Sequence, residues 1–487
     1  MTQAVVAVPG FRRAFLINFA SSTSGTVVHF VVSLLLARLL GPTEMGVYAV
    51  ALVFVNVAQV FRDFGVSSWL QREPDLTPDK VRAGLGLLCC TTTLMAVVLV
   101  AGSAPLSRYF RQPEVQPILR VLALGFVLMP FSAVMAALML RDLAAARLAY
   151  VSRLGTAAYA ITCLGLAMQG FGAMSLAWAY LANIVACSLA YVPLRPKGQS
   201  WWPSSRNWGG IVRFGAGSLL TQTLVAVNNA LPDLLVGKLG TTAEVGLLGR
   251  AGSTVNLFST IAGSAINFGA LPYLANAHHR RAALEPLLNR SAALLTAVAW
   301  PVLALTGLFA GDIVLTLFGP RWAACVPAVP ALALVTAIGM LCNYGGAALA
   351  AIGRPDLASA PVVVTAAVRV ALAVWLFHGD VASFAVIMLA GSLAALPLQL
   401  GLHARCLGQS PGSMAKAVLP SLMVTVACGG AAWTLAHCLP AGLPPADRLV
   451  LSVTAGFVAW YAALRLTGHE LAAEVHRLLR LRITIRK

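Results

Sequence analysis

The sequence predicts an all-α polytopic membrane protein of about fourteen transmembrane helices, with two six-helix lobes around a central cavity and two extra C-terminal helices. Composition, regularly spaced apolar runs and an internal repeat support this prediction. Of the 487 residues, 59% are hydrophobic and only 10% are charged, whereas soluble domains carry about 25% charged residues. This composition excludes soluble enzymes, disordered scaffolds and nucleic-acid binders, and it makes the lipid bilayer the surrounding solvent.

The apolar runs have the length of membrane spans. A bilayer core about 30 Å thick needs roughly 20 apolar residues per helix, so we divide the chain at Pro, Gly and charged clusters. The first run has no small-residue cleavage site and is predicted to be a retained helix and not a signal peptide. The fourteen predicted spans cover approximately residues 14–40, 44–69, 82–105, 117–140, 147–170, 172–193, 208–239, 243–271, 288–310, 326–352, 357–378, 381–405, 414–438 and 446–466.

The basic residues predict the orientation of these spans. The chain has 34 Lys and Arg against 16 Asp and Glu. If the N-terminus is cytoplasmic, 23 of the 34 basic residues lie in inner segments, seven in outer segments and four within spans. Because inner loops of membrane proteins are enriched in Lys and Arg, this split predicts an inner-type (cytoplasmic) membrane protein with both termini in the cytoplasm. The basic tail lies on the anionic inner leaflet or is loosely ordered.

Two segments about 200 residues apart resemble each other: LLLARLLGPTEMGVYAVA at residues 34–51 and DLLVGKLGTTAEVGLLGRA at residues 233–251. With one residue of slippage, the matched positions are Leu40/Gly41 with Leu239/Gly240, Thr43 with Thr242, and Gly46 with Gly246. Each copy joins the first two helices of a lobe through a short Gly-containing turn. The predicted organisation is an N-lobe at 1–193, a cytoplasmic linker at 194–207, a C-lobe at 208–405, two further helices at 406–466 and a basic cytoplasmic tail at 467–487.

Three segments resemble the polysaccharide-repeat-unit (Wzx-type) flippases of the multidrug/oligosaccharidyl-lipid/polysaccharide exporter superfamily: ARLLGPTEMGVYAVA, FRDFGVSSWLQRE and FGAGSLLTQTLVAVNNALPDLLVGKLGTTAEVGLLGRA. The resemblance implies alternating access and outward movement of an undecaprenyl-pyrophosphate-linked oligosaccharide for exopolysaccharide, capsule or O-antigen assembly. It also implies a polysaccharide polymerase and export machinery as partners. Asp233 matches an Asp common at the end of the family's seventh helix, whereas GLLGRA at 246–251 departs from the usual Gly-Leu-Tyr.

Charged residues within spans are the candidate functional residues, because a charge in the membrane is costly and usually faces a cavity or a partner. Arg369 lies about 12 residues into the eleventh span, about 18 Å deep at 1.5 Å per residue. A guanidinium there suits a pyrophosphate or an acidic sugar, and the structural alternative is an ion pair with a carboxylate elsewhere. The predicted substrate-binding residues are Arg369, Arg250, Arg62, Arg153, Asn228 and Asn229.

Two carboxylates, Asp233 and Asp63, are predicted to act in gating or ion coupling, so a coupled proton or sodium ion remains open. Asp233 and Arg250 lie at similar depth, and either pair with each other or form an outer gate. Arg62 is predicted to meet the headgroup from the cytoplasmic side, whereas Arg153 is shallow enough to reach the interface. The two Asn residues suit sugar hydroxyls and helix–helix hydrogen bonds equally well.

Catalytic motifs are missing from the sequence. There is no GxxxxGK[ST] phosphate loop, and the nine Cys have no spacing that would hold a metal, so we expect neither an enzyme nor a cofactor. The main alternative is a cation-coupled multidrug exporter of the same superfamily, although the excess of intramembrane Arg favours an anionic ligand. A membrane glycan polymerase or ligase is a further alternative, and a peptidoglycan-precursor flippase is excluded only weakly.

Overall fold

The computed structural model is all-helical in the residues that it describes, which confirms the predicted fold class. Eleven of the described segments are long and apolar enough to cross a membrane, and the protein is multi-pass. The predicted total of fourteen spans remains a prediction. The described residues are 28–142, 144–195, 201–206, 208–267, 283–440 and 443–472.

The helices form two compact units, Met1–Gly246 and Leu247–Lys487. The first unit contains α1 (Val28–Leu39), α2 (Pro42–Asp63), α3 (Val66–Arg72), α4 (Pro78–Tyr109), α5 (Val115–Arg141), α6 (Ala145–Met168), α7 (Ala173–Tyr191), α8 (Trp208–Leu239) and the start of α9 (Thr242–Asn267). The second unit contains the rest of α9, then α10 (Leu284–Leu308), α11 (Ala310–Leu317), α12 (Val329–Leu341), α13 (Gly345–Ala351), α14 (Ser359–Leu376), α15 (Val381–Leu407), α16 (Pro411–Cys438) and α17 (Pro445–Leu466).

Helix α8 begins and ends with the seventh predicted span, and it packs against α2, α3 and α4. These contacts group α8 with the first unit, whereas the predicted lobe boundary precedes it, so the division into lobes remains a prediction. Residues 473–487 of the predicted basic tail lie outside the described residues.

Two predicted spans are interrupted. The second ends at Asp63 and not near residue 69, because Phe64 and Gly65 adopt left-handed backbone conformations with φ of 42° and 72°. The tenth divides into α12 and α13. Hydropathy averaged over a whole span does not detect these breaks, although Arg62 and Asp63 directly precede the first and Asn343 lies at the second.

The two copies of the repeat begin their second helices in the same way. Glu44 Oε2 accepts a hydrogen bond of 2.8 Å from the Gly41 N–H, and Glu244 Oε2 accepts one of 2.9 Å from the Thr241 N–H. Each residue of the first hairpin therefore corresponds to the residue 200 positions later in the second hairpin. This corrects the sequence alignment, which paired Gly41 with Gly240 and so contained a slippage of one residue. The sequence comparison matched glycines, but the shared capping carboxylate fixes the register.

The second helices of the two hairpins, α2 and α9, cross at Gly46 and Gly246. A Cβ on Gly46 would lie 1.7 Å from the Thr242 carbonyl oxygen, and a Cβ on Gly246 would lie 2.0 Å from the Pro42 carbonyl oxygen. The contact is reciprocal, because each glycine faces the carbonyl four residues before the other. Only glycine permits this backbone approach, as in small-residue crossings of membrane helices.

Part of the predicted linker is fastened to α4. The Ser204 N–H donates to the Arg82 carbonyl over 3.1 Å, and Arg82 Nε donates to the Trp202 carbonyl over 3.1 Å. Gly86 leaves room for this segment, since a Cβ there would lie 2.2 Å from the Ser204 carbonyl oxygen. The described part of the linker is therefore a docked segment of the first unit.

His469 connects the end of α17 to α16. Its Nδ1 accepts a hydrogen bond of 3.1 Å from the Leu471 N–H, so Nε2 carries the proton and donates to Ser421 Oγ over 3.1 Å. The ring is 5% exposed, and burial lowers the pKa of His469 while nearby Glu470 opposes the shift. The neutral imidazole is thus part of the packing.

Candidate substrate site

Arg369 lies on α14 against α15 and is 7% exposed. Its Nη2 donates to Ser392 Oγ over 3.2 Å, and its Nε is buried without a partner. Gly391 provides space for the side chain, because a Cβ at that position would lie 2.7 Å from Arg369 Cγ. Within the described residues no carboxylate pairs with Arg369, so the structural ion pair considered from the sequence is not found there.

Arg250 lies between two aromatic rings of the second unit. Its Cζ is 4.5 Å from the centroid of Phe318 and 4.7 Å from that of Trp322, and the side chain is 3% exposed. The quadrupoles of the rings stabilise the guanidinium in a site that water does not reach. Asp233 belongs to the other unit and is half-buried on α8, so its predicted pairing with Arg250 remains a prediction.

Arg62 is the least satisfied of the intramembrane arginines. Its Nε is buried without a partner, and its guanidinium forms no hydrogen bond or ion pair with the described residues. The adjacent Asp63 carboxylate instead accepts a hydrogen bond from the Ser67 hydroxyl. Gln59, one helical turn before Arg62 on α2, donates from Nε2 to the Tyr180 hydroxyl of α7 over 2.8 Å. The charge that acts most strongly on Arg62 is that of the adjacent Asp63.

The remaining predicted residues are spread over α6 and α8. Arg153 and Asn229 are exposed, which fits the expectation that Arg153 reaches the membrane interface. Asn228 is half-buried, and its Oδ1 has no hydrogen-bond partner among the described residues. Asn228 therefore keeps an unused acceptor in the first unit, and the roles of all these residues remain predictions.

A large apolar groove in the second unit lies between α10, α12 and α16. Its volume is about 1000 Å³, and its walls include Trp300, Leu334, Val426 and Trp433. Two of its polar groups are already used: Trp300 Nε1 donates to the Ala337 carbonyl over 3.0 Å, and the hydroxyl of Thr425 donates within its own helix. The groove is therefore suited to hydrocarbon.

The structure brings some predicted residues together with residues that the sequence analysis missed. Gln59 and Tyr180 were missed, although Gln59 lies one helical turn before Arg62 in the same apolar span. A polar residue at this spacing was a usable signal. Phe318 and Trp322 carried no such signal, because aromatic residues are frequent throughout membrane segments. Among the described residues, no group of three His, Cys, Asp or Glu side chains is placed to hold a metal ion.

Comparison with protein families gives a match between residues 35–327 and the model described as "Polysaccharide biosynthesis protein". The chain is 22% identical over 347 residues to the teichuronic acid biosynthesis protein TuaB of Bacillus subtilis (strain 168), covering 68% of this chain and 69% of TuaB. It is 24% identical over 324 residues to the succinoglycan biosynthesis transport protein ExoT of Rhizobium meliloti (strain 1021), covering 66% of this chain and 65% of ExoT.

Comparison with solved structures identifies the same kind of fold. A lipid II flippase MurJ structure, in an inward closed conformation, superposes with a TM-score of 0.73 at 11% identity, covering 94% of this chain and 99% of that one. An inward-facing multidrug resistance MATE family transporter gives a TM-score of 0.59 at 16% identity, covering 79% of this chain and 96% of that one. At these identities, the matches establish the fold.

Proposed function

The chain belongs to the polysaccharide biosynthesis protein family, and on that premise we propose that it is a flippase for lipid-linked oligosaccharide repeat units. The substrate is an undecaprenyl-pyrophosphate-linked oligosaccharide, moved by alternating access from the inner to the outer leaflet of the bacterial cytoplasmic membrane. It serves assembly of an extracellular or surface polysaccharide. The names of ExoT and MurJ, a transport protein and a flippase, support a transporter over an enzyme.

The observation that carries the proposal is the environment of Arg369. In the part of the chain that the structure describes, the buried Arg369 guanidinium has a single hydrogen-bond partner, the Ser392 hydroxyl, so it has unused donors in a medium of low dielectric constant. Its fork of N–H groups matches phosphate oxygens and fits an anionic headgroup. An organic cation, the cargo expected of the multidrug-exporter alternative, would be repelled.

The apolar groove between α10, α12 and α16 supports a lipid-linked cargo. It belongs to the same unit as Arg369 and is lined mainly by apolar side chains, so a polyprenyl tail fits it better than a sugar. Each CH₂ group removed from water contributes about 0.8 kcal/mol, but that gain is absent for a tail already dissolved in lipid. The groove therefore positions the tail without trapping it.

The membrane potential supplies a driving force for such an anion. Moving two negative charges outward across an inside-negative membrane releases about 4.6 kcal/mol per 100 mV, from about 2.3 kcal/mol for each charge. A coupled proton or sodium ion adds to this force if Asp233 or Asp63 carries it. Of the two, Asp233 is the better carrier, because the Asp63 carboxylate is engaged with Ser67.

The distribution of Lys and Arg supports an orientation with both termini in the cytoplasm. In that orientation the Gly46 and Gly246 crossing lies on the outer side. A polysaccharide polymerase and export machinery would receive the cargo there. The family assignment favours a polysaccharide repeat unit over a peptidoglycan precursor as that cargo.

The test is transport in proteoliposomes that contain an undecaprenyl-pyrophosphate-linked oligosaccharide. Access of an external sugar-cleaving enzyme to the lipid is followed for wild type, Arg369→Ala and the control Arg405→Gln, which changes an exposed residue of α15. Transport by wild type and the control, but not by Arg369→Ala, supports the proposal. Expulsion of a cationic dye without lipid transport would replace it with the drug-exporter function, and a new glycosidic bond would indicate a polymerase or ligase.

A further inference from the structure

We infer that Gln59, Arg62 and Tyr180 form a saccharide subsite in the first unit, in which Arg62 binds the carboxylate of an acidic sugar and the Gln59–Tyr180 pair binds adjacent hydroxyls. This inference rests on the proposed function for the identity of the cargo. It adds a specificity site that is separate from the Arg369 environment of the second unit.

The first step is the face of α2 that carries these residues. Gln59 and Arg62 are three residues apart, which places them about 60° from each other and one turn apart on a helix with 3.6 residues per turn. Gln59 reaches Tyr180 of α7 through its 2.8 Å hydrogen bond, so this face of α2 is directed towards α7. The two helices thus present one polar stripe within a membrane-spanning region.

The second step is the hydrogen-bonding capacity that the stripe retains. The Tyr180 oxygen accepts from Gln59 Nε2, and in the described residues neither the Tyr180 hydroxyl hydrogen nor Gln59 Oε1 has a partner. One donor and one acceptor therefore remain side by side. A sugar hydroxyl is itself a donor and an acceptor, so two neighbouring hydroxyls satisfy this pair without any charge.

The third step is the charge of Arg62. Its buried Nε has no hydrogen-bond partner among the described residues. The adjacent Asp63 carboxylate stabilises the Arg62 charge electrostatically, but it accepts its hydrogen bond from Ser67, four residues further along the chain. The guanidinium therefore keeps unused N–H donors, to which an arriving carboxylate would form charge-assisted hydrogen bonds. A single guanidinium beside a neutral pair fits a singly charged sugar better than a dianionic pyrophosphate.

Binding of free saccharides tests the subsite independently of transport. Purified protein in nanodiscs is titrated with a glucuronic-acid-containing disaccharide and with the same disaccharide after its carboxyl group has been reduced to an alcohol. Wild type should bind the acidic sugar at least tenfold more tightly, because charge-assisted hydrogen bonds contribute more than neutral ones. Arg62→Gln should abolish this preference, whereas Arg147→Gln, an exposed arginine on α6, should retain it.

Two further variants test the neutral pair. Tyr180→Phe and Gln59→Met should each lower the affinity for both disaccharides by roughly fivefold, since each variant removes one neutral hydrogen bond. The preference for the acidic disaccharide should persist. Tyr150→Phe is the control, because Tyr150 is 55% exposed on α6. The subsite would be overturned if Arg62→Gln lost the same fraction of its affinity for both disaccharides, or if wild type bound the two disaccharides equally well.

Transport separates this inference from the proposed function. Transport of an acidic and of a neutral lipid-linked oligosaccharide is measured in proteoliposomes that contain either wild type or Arg62→Gln. Transport of both lipids with unchanged selectivity in the variant refutes the subsite and leaves the flippase function standing. Selective binding of the acidic disaccharide without lipid transport would support the subsite and refute the flippase function.

Discussion

The crossing of α2 and α9 at Gly46 and Gly246 gives the sharpest test of the fold. In Gly46→Ala, the added Cβ would lie 1.7 Å from the Thr242 carbonyl oxygen, whereas ordinary contact begins at 3.4 Å. The helices would have to separate locally by about 1.7 Å. A backbone carbonyl within a helix cannot move aside as the end of a side chain can.

Overpacking of this kind costs typically about 1–3 kcal/mol, and loss of the close backbone contacts adds about 0.5–1 kcal/mol for each C–H···O contact. We therefore expect Gly46→Ala to destabilise the protein by about 3 kcal/mol. Gly246→Ala should have a similar effect, because its Cβ would lie 2.0 Å from the Pro42 carbonyl oxygen. The double variant should cost less than the sum, since the first substitution already separates the helices.

Thermal unfolding in detergent measures the effect, with Gly165→Ala as the matched control. Gly165 lies within α6 and has no atom within 4 Å of its added Cβ, so its replacement should be neutral or slightly stabilising. Equal melting temperatures for Gly46→Ala and Gly165→Ala would refute the close crossing. An additive double variant would show that the two glycines do not share one contact.

Three more predictions follow from individual side chains. Burial lowers the pKa of His469, so its contribution to stability should be complete above about pH 6.5. The contribution should be lost as the pH falls through the folded pKa, because the Leu471 N–H then loses its acceptor. The melting temperature should therefore fall with pH over this range in wild type but not in His469→Gln. Glu244→Ala removes the cap of α9 and should destabilise the protein by about 1 kcal/mol in denaturation experiments, and no change would contradict the capping role. A protein variant whose only cysteine is Cys438, at the end of α16, should be labelled by an impermeant maleimide in intact cells. A variant whose only cysteine is Gly412→Cys, at the start of the same helix, should react only after permeabilisation, and the opposite pattern would invert the proposed orientation.

The repeat shows where sequence reasoning reached its limit. The glycines of the two hairpins were visible at a spacing of about 200 residues, but their alignment was one residue out of register at the first turn. Glu44 and Glu244 settle the register, because each accepts a hydrogen bond from a free N–H group at the start of its helix. A one-residue shift is invisible to hydropathy, which averages over a whole span.

The intramembrane arginines were found from sequence because charge inside an apolar run is conspicuous. Their surroundings were not found. Arg250 contacts aromatic rings about 70 residues further along the chain, and Gln59 bonds a tyrosine 121 residues away. Such contacts depend on which faces of distant helices meet.

The sequence by itself determined that this chain lies in a membrane, that it is helical and that it resembles transporters of lipid-linked saccharides. Hydrophobicity decides the first two locally, since roughly 20 apolar residues must satisfy their own backbone groups in lipid. Only the tertiary structure decided that Gly46 meets Gly246 and that Gln59, one turn before Arg62, bonds to Tyr180 of α7. These relations arise from helix packing, because the bilayer fixes the direction of each helix but leaves its rotation and its neighbours to side-chain contacts.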